Sequence, residues 1–203
     1  MKYLAIDTSG KNLTVIIKKG EDAHVYYDEK CEVRHSVELM PRVEELAKKV
    51  GFDFREADFF ACVVGAGSFT GIRIGVATVK AMCFAFNKPC LAITSFDTIA
   101  YNRKGERALT VIDAKHNGFY VCGYDSGKVS FPPAYLMRDK VEELVAEYGK
   151  VLSFEEISGL DVEVVSLADG LIKAIEHKEK EVTFDLTKLE PLYVRKSQAE
   201  EGR

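Results

Sequence analysis

The sequence predicts an α/β protein of two related lobes, residues 1–103 and an abbreviated 104–203. Three observations predict it: β-branched apolar runs open the chain, strand and helix patterns then alternate, and the opening grammar returns 106 residues later.

The runs "YLAID", "LTVIIKK" and "HVYYDEK" are separated by the turn segments "DTSGKN" and "KKGED", which makes a β-meander. In "HSVELMPRVEELAKKVG", Val37, Met40, Val43, Leu46, Ala47 and Val50 recur at helical spacing, and Gly51 is a stop signal. Pro41 removes an internal hydrogen bond, so the expectation is a helix that starts near Met40 or kinks there. "ADFFACVVG" reads as a buried strand, "TGIRIGVATVKAMCFAFN" as a helix, "KPCLAI" as a short strand and "SFDTIAYN" as a short helix. Together these make one mixed sheet.

From residue 108, "ALTVIDAKHNGFYVCGYDSGKV" repeats "YLAIDTSGKNLTVIIKKGEDAHV". Each copy has a strand ending in aspartate (Asp7, Asp113), a second strand beginning six residues later (Leu13, Phe119), and a glycine turn (Gly20, Gly127). "RDKVEELVAEYG" then reads as a helix, and the pattern through "SLADGLIKAIEHKEK" is less decisive.

Composition narrows the function classes. The net charge of −4, with Lys and Arg spread along 203 residues, argues against tight unaided binding to a polyanion. Cys31, Cys62, Cys83, Cys90 and Cys122 are odd in number, lack C-x-x-C spacing and sit mostly in apolar segments, as reduced thiols of a cytoplasmic protein do. The start "MKYLAIDTSG" is too short in apolar residues for a signal segment, and no stretch is expected to approach membrane-spanning length. His24, His35, His116 and His177 have no metal-binding spacing, and His35 reads as a polar neighbour of a turn. Ser68 does not fit the G-x-S-x-G nucleophile pattern.

Two features carry chemistry. The paired hairpins ending in Asp7-Thr8-Ser9 and Asp113 are placed as phosphate-gripping turns would be, and equally as turn residues bonding their own backbone. The block "GAGSFTG" lacks both the P-loop ending and G-x-G-x-x-G. The helix after it has one large apolar face (Ile72, Val76, Val79, Cys83, Phe86) and a second face of small or adaptable residues (Gly71, Gly75, Thr78, Met82, Ala85). That second face is either buried inside its own lobe or an intermolecular surface shared with Leu39 and Met40.

The stretches "AIDTS", "RHSVELMP", "GAGSFTGIRIGVATVKA", "KPCLAITSFDTIA", "VIDAKHNGFYVCGY" and "EPLYVRK" resemble the TsaB (YeaZ) family, throughout the first lobe and at scattered points of the second. The family usually has proline where Ala66 stands and an acidic residue near Gly118. The resemblance implies a two-lobe actin-like fold of the ASKHA, ribonuclease H-like class. It also implies a non-catalytic partner of TsaD in forming threonylcarbamoyladenosine next to the tRNA anticodon, alongside TsaE and the enzyme supplying threonylcarbamoyl-adenylate. The catalytic paralogue carries a metal-binding His-x-x-x-His where this chain has Ser95 and Ile99, neither of which ligates a metal. The helices over 36–50 and 71–86 are then the surface for both homodimer and TsaD heterodimer, with Leu39, Met40, Gly71, Gly75, Thr78, Met82 and Ala85 at the contact. No cofactor is expected on this chain alone, the complex interface is left open as a place for ATP or ADP, and tRNA is expected to be met only through the complex, with no membrane partner. Two other classes remain: an ASKHA-type kinase or ATPase using Asp7 and Asp113, and a glycoprotease-like peptidase.

Overall fold

A computed structural model describes residues 1–31 and 33–195. The chain forms two compact units, Met1–Thr94 with the returning segment Ile175–Leu192, and Ser95–Ala174 with residues 193–195.

In the first unit, strands β1 (Lys2–Asp7), β2 (Leu13–Lys19) and β3 (Asp22–Asp28) form the expected meander, followed by helix α1 (His35–Val50), strand β4 (Phe59–Val63), helix α2 (Phe69–Phe86) and strand β5 (Cys90–Ile93). The sheet order is β3-β2-β1-β4-β5. β1 pairs antiparallel with β2, Asp7 opposite Thr14, and parallel with β4, Ala5 opposite Ala61. Alternation along the strands sends Leu4, Ile6, Val15, Ile17, Phe60 and Cys62 to one face, where Leu39, Val43 and Leu46 of α1 and Ile72, Val76, Val79 and Cys83 of α2 cover them. Each such side chain contributes about 1.5–3 kcal/mol when fully buried.

Helix α1 begins at His35, earlier than expected, and runs through Pro41. The proline is tolerated because it lies on the exposed side, next to the 69% exposed Val37 whose carbonyl it leaves without a helical donor. Gly51 ends the helix at φ 61°, and its N–H and that of Phe52 close on the carbonyls of Lys48 and Ala47.

The second unit holds helix α3 (Ser95–Ala100), strands β6 (Ala108–Asp113), β7 (Gly118–Asp125) and β8 (Lys128–Met137), helix α4 (Arg138–Tyr148) and the short strands β9 (Val151–Ser153) and β10 (Glu163–Val164). Helix α5 (Leu167–Lys178) then leads back to the first unit. Its sheet order, β10-β9-β6-β7-β8, is that of the first sheet read from the other edge, so the sequence repeat is a topological repeat. The abbreviation has a specific location. Helix α2 joins β4 to β5, whereas an irregular segment over 154–162 joins β9 to β10.

The break between units falls at Thr94/Ser95, whereas the sequence pattern puts it at 103/104. The reason is packing: Ile99 of α3 is fully buried against Ala108, Leu152 and Val165 of the second unit. The returning segment belongs to the first unit for the same kind of reason, since Leu189 is fully buried in the first core.

Spanning length is corrected by the structure. Helix α2, 18 residues, is long and apolar enough to cross a membrane by length and composition. Here it packs on the first sheet, because its buried residues Gly71, Ile72, Gly75, Val76, Val79, Met82 and Cys83 share one side. All five cysteines are buried and unbridged.

Candidate functional site

The glycine block lies between β4 and α2, and it is sewn to the turn after β1. Thr8 Oγ1 donates to the Gly71 carbonyl at 2.7 Å, and Ser68 N–H donates to the Ser9 carbonyl at 2.7 Å. A Cβ at Gly67 would stand 2.1 Å from the Ser9 oxygen and one at Gly71 1.9 Å from the Thr8 oxygen. At Gly75 it would meet Thr8 Oγ1 at 2.6 Å and Cys62 Sγ at 3.2 Å. Gly67 and Gly71 therefore provide backbone approach to the chain's own β1 turn, and Gly75 makes room for the Thr8 and Cys62 side chains. This corrects the expectation that Gly71 and Gly75 face a partner helix.

Ser68 is the N-cap of α2, its Oγ accepting from Gly71 N–H at 3.2 Å, which occupies the hydroxyl in helix capping. His35 is buried, with Nε2 3.1 Å from the Asn12 carbonyl at the same turn, as expected of a polar turn neighbour.

Asp7, Thr8 and Ser9 are all buried. Asp7 Oδ1 accepts from Ser9 N–H at 2.7 Å while Oδ2 has no hydrogen-bond partner. Burial pushes the Asp7 carboxyl above the usual carboxylate range, opposed by the Ser9 hydrogen bonds and the nearby His35. Asp113, in the second unit, repeats the local geometry: Oδ1 accepts from Lys115 N–H at 2.7 Å and Oδ2 lies 3.2 Å from Lys115 Nζ. Both aspartates thus make the two-residue turn that their position at a strand end allows.

Of the seven residues expected at a partner surface, Leu39, Gly71, Gly75 and Met82 are buried in the first unit, and Leu39 and Met82 belong to its core. Thr78 is half-buried, and Met40 and Ala85 are exposed. The face of α2 turned outward is a different one, with Arg73, Ala77, Ala81 and Phe84 at i, i+4, i+8 and i+11. Phe84 is 85% exposed, and on α1, which packs beside α2, Val37 and Met40 are 69% and 39% exposed. Sequence periodicity misses this face because its alanines carry little hydrophobic weight. Phe84 was the available signal, an aromatic off the core stripe.

Ser95 and Ile99 are buried on α3, and no group of three or more His, Cys, Asp or Glu side chains that could hold a metal occurs among the described residues. Lys196, the end of "EPLYVRK", lies outside the described residues.

Residues 27–184 match the family model described as TsaD, tRNA N6-adenosine threonylcarbamoyltransferase. The tRNA threonylcarbamoyladenosine biosynthesis protein TsaB of Haemophilus influenzae is 25% identical over 162 residues, 77% of this chain and 61% of that protein. The same-named protein of Bacillus subtilis is 30% identical over 122 residues, 59% of this chain and 53% of that one. These matches span between half and two thirds of those relatives' length. The TsaB protein of Buchnera aphidicola from Acyrthosiphon pisum matches over 90% of this chain and 93% of its own, at 21% identity. Among solved structures, YeaZ from Pseudomonas aeruginosa superposes with a TM-score of 0.73 at 22% identity, covering 95% of this chain and all of that one. The fold is the two-lobe actin-like, ribonuclease H-like α/β class that the resemblance implies.

Proposed function

Because the chain belongs to the TsaD family and its curated relatives include several TsaB proteins, we propose that it works in tRNA threonylcarbamoyladenosine biosynthesis as an accessory subunit and not as the transferase. It binds a TsaD enzyme through the outward faces of α1 and α2 and performs no chemistry alone. The observation that carries this reading is the exposed apolar strip of Val37, Met40, Ala77, Ala81 and Phe84 on two neighbouring helices. Scattered surface apolar residues need no explanation, but apolar residues exposed on two packed helices, an 85% exposed phenylalanine among them, suit a helix-on-helix contact. The same strip serves self-association when TsaD is absent. The absence of imidazole at Ser95 and Ile99 supports the non-catalytic role, and tRNA meets the protein within the complex.

The test is to mix the chain with its TsaD counterpart, read the mass by light scattering, and assay tRNA modification with and without TsaE and ATP. A stable complex, with modification requiring both proteins, is the expected result. ATP turnover by this chain alone, with no complex, would instead favour a kinase or ATPase acting through Asp7 and Asp113.

A further inference from the structure

The returning segment leaves an opening beside β5. β5 is the edge of the first sheet. Its hydrogen bonds alternate: the carbonyls of Pro89 and Ile93 accept from Phe60 and Val64 of the β4 side, whereas the backbone N–H and carbonyl of Cys90 face away from β4 and exchange both bonds with Thr183, at 2.8 and 3.0 Å. That alternation turns the N–H and carbonyl of Ala92 outward as well. Continued antiparallel pairing would set Glu181 opposite Ala92, but Glu179–Glu181 forms a 3-10 turn and pairing stops at the single Cys90–Thr183 bridge. One rung of the ladder is missing. In its place is a cavity of about 340 Å³ lined by Leu91, Ala92, Glu181, Thr183 and Lys188.

We infer that this gap is a binding site for a short zwitterionic peptide, of dipeptide size, lying extended as the missing rung. An amide offers the donor and acceptor complementary to Ala92, as in strand addition at a sheet edge. The cavity is at the small end of the range for ligand sites, which selects a short peptide over a long strand. Two charges of opposite sign line it. Lys188 takes the terminal carboxylate, and Glu181, whose Oε2 lies 3.7 Å from Lys178 Nζ, takes the ammonium. The wall is held in shape, because Asp185 caps the turn carrying Lys188 by accepting from Thr187 N–H at 3.0 Å.

The experiment is an amide ¹⁵N–¹H titration of the full chain with alanyl-alanine, and with the blocked amide N-acetylalanine N-methylamide as control. Alanyl-alanine is expected to shift the Ala92 and Thr183 amides along one saturating curve, with a Kd on the order of 1 mM. Lys188→Glu is expected to weaken binding roughly tenfold, the worth of one charge-assisted hydrogen bond. Ala92→Pro removes the outward donor at an edge position where proline is tolerated, and is expected to weaken it by about as much. Lys188→Glu lies on an exposed residue and leaves the fold intact, so it decides the matter even if Ala92→Pro does not fold. No shift of these amides up to roughly 10 mM peptide, a concentration well above the expected Kd, overturns the inference. So does binding that survives Lys188→Glu unchanged, or equal affinity for the blocked amide.

Discussion

Substituting Gly71 by alanine separates a glycine that closes the protein's own fold from one that admits a partner. The added Cβ would stand 1.9 Å from the Thr8 carbonyl oxygen and 3.1 Å from its carbon, both backbone atoms that cannot rotate away. Helix α2 must therefore retreat from the β1 turn by more than an ångström, which breaks the Thr8 Oγ1 hydrogen bond to the Gly71 carbonyl. Overpacking costs about 1–3 kcal/mol and the lost buried hydrogen bond about 1 kcal/mol. Against these, the better helix propensity of alanine offsets at most about 1 kcal/mol. The net expectation is a loss of about 2 kcal/mol, a fall in melting temperature of roughly 4–8 °C for a chain of this size. Scanning calorimetry reads it directly. Phe84→Arg is the companion variant: at 85% exposure it should change stability by no more than about 0.5 kcal/mol, yet weaken the complex with TsaD by roughly 30-fold or more. The reasoning fails if Gly71→Ala leaves the melting temperature unchanged while abolishing that complex, for the glycines would then face the partner.

Leu39→Ala should lose about 2–5 kcal/mol, since its side chain is 1% exposed, whereas Met40→Ser should stay within about 0.5 kcal/mol and reduce association instead; equal stability losses in urea titrations would contradict the placement of these neighbours. Burial pushes the thiols of Cys83 and Cys122 up to about 12, above their value in the unfolded chain. The folded state therefore holds protons the unfolded state releases, and stability is expected to fall as the pH rises from about 8.5 toward 12. Thiol labelling at pH 8 should be slow until denaturant is added, and rapid labelling of the native chain would refute it. The Asp7 carboxyl is also raised, so its charged form costs stability near neutrality, and that cost disappears as the pH falls toward the unfolded value near 4. Asp7→Asn is thus expected to stabilise the chain at pH 7 with a gain that shrinks on acidification; a gain that grows would point the other way.

Much of the architecture was legible because it rests on short-range pattern. Period-two alternation in "LTVIIKK", helical spacing from Val37 to Val50 and the return of an aspartate-ended hairpin at Asp113 are properties of neighbouring residues, so sequence alone determined the strands, the helices and the duplication. The resemblance carried by "GAGSFTGIRIGVATVKA" likewise needed no coordinates. Which way each helix face points depended on distant atoms. Gly71 and Gly75 look like a partner seam in one dimension, and only Thr8, more than 60 residues earlier in the chain, makes them an internal one, its backbone against Gly71 and its hydroxyl against Gly75. That inward sinking of α2 took Met82 into the core and left Ala77, Ala81 and Phe84 outside. The unit boundary at Thr94 and the return of Ile175–Leu192 were tertiary decisions too, because they follow from which core buries Ile99 and Leu189, and burial is a property of the assembled chain.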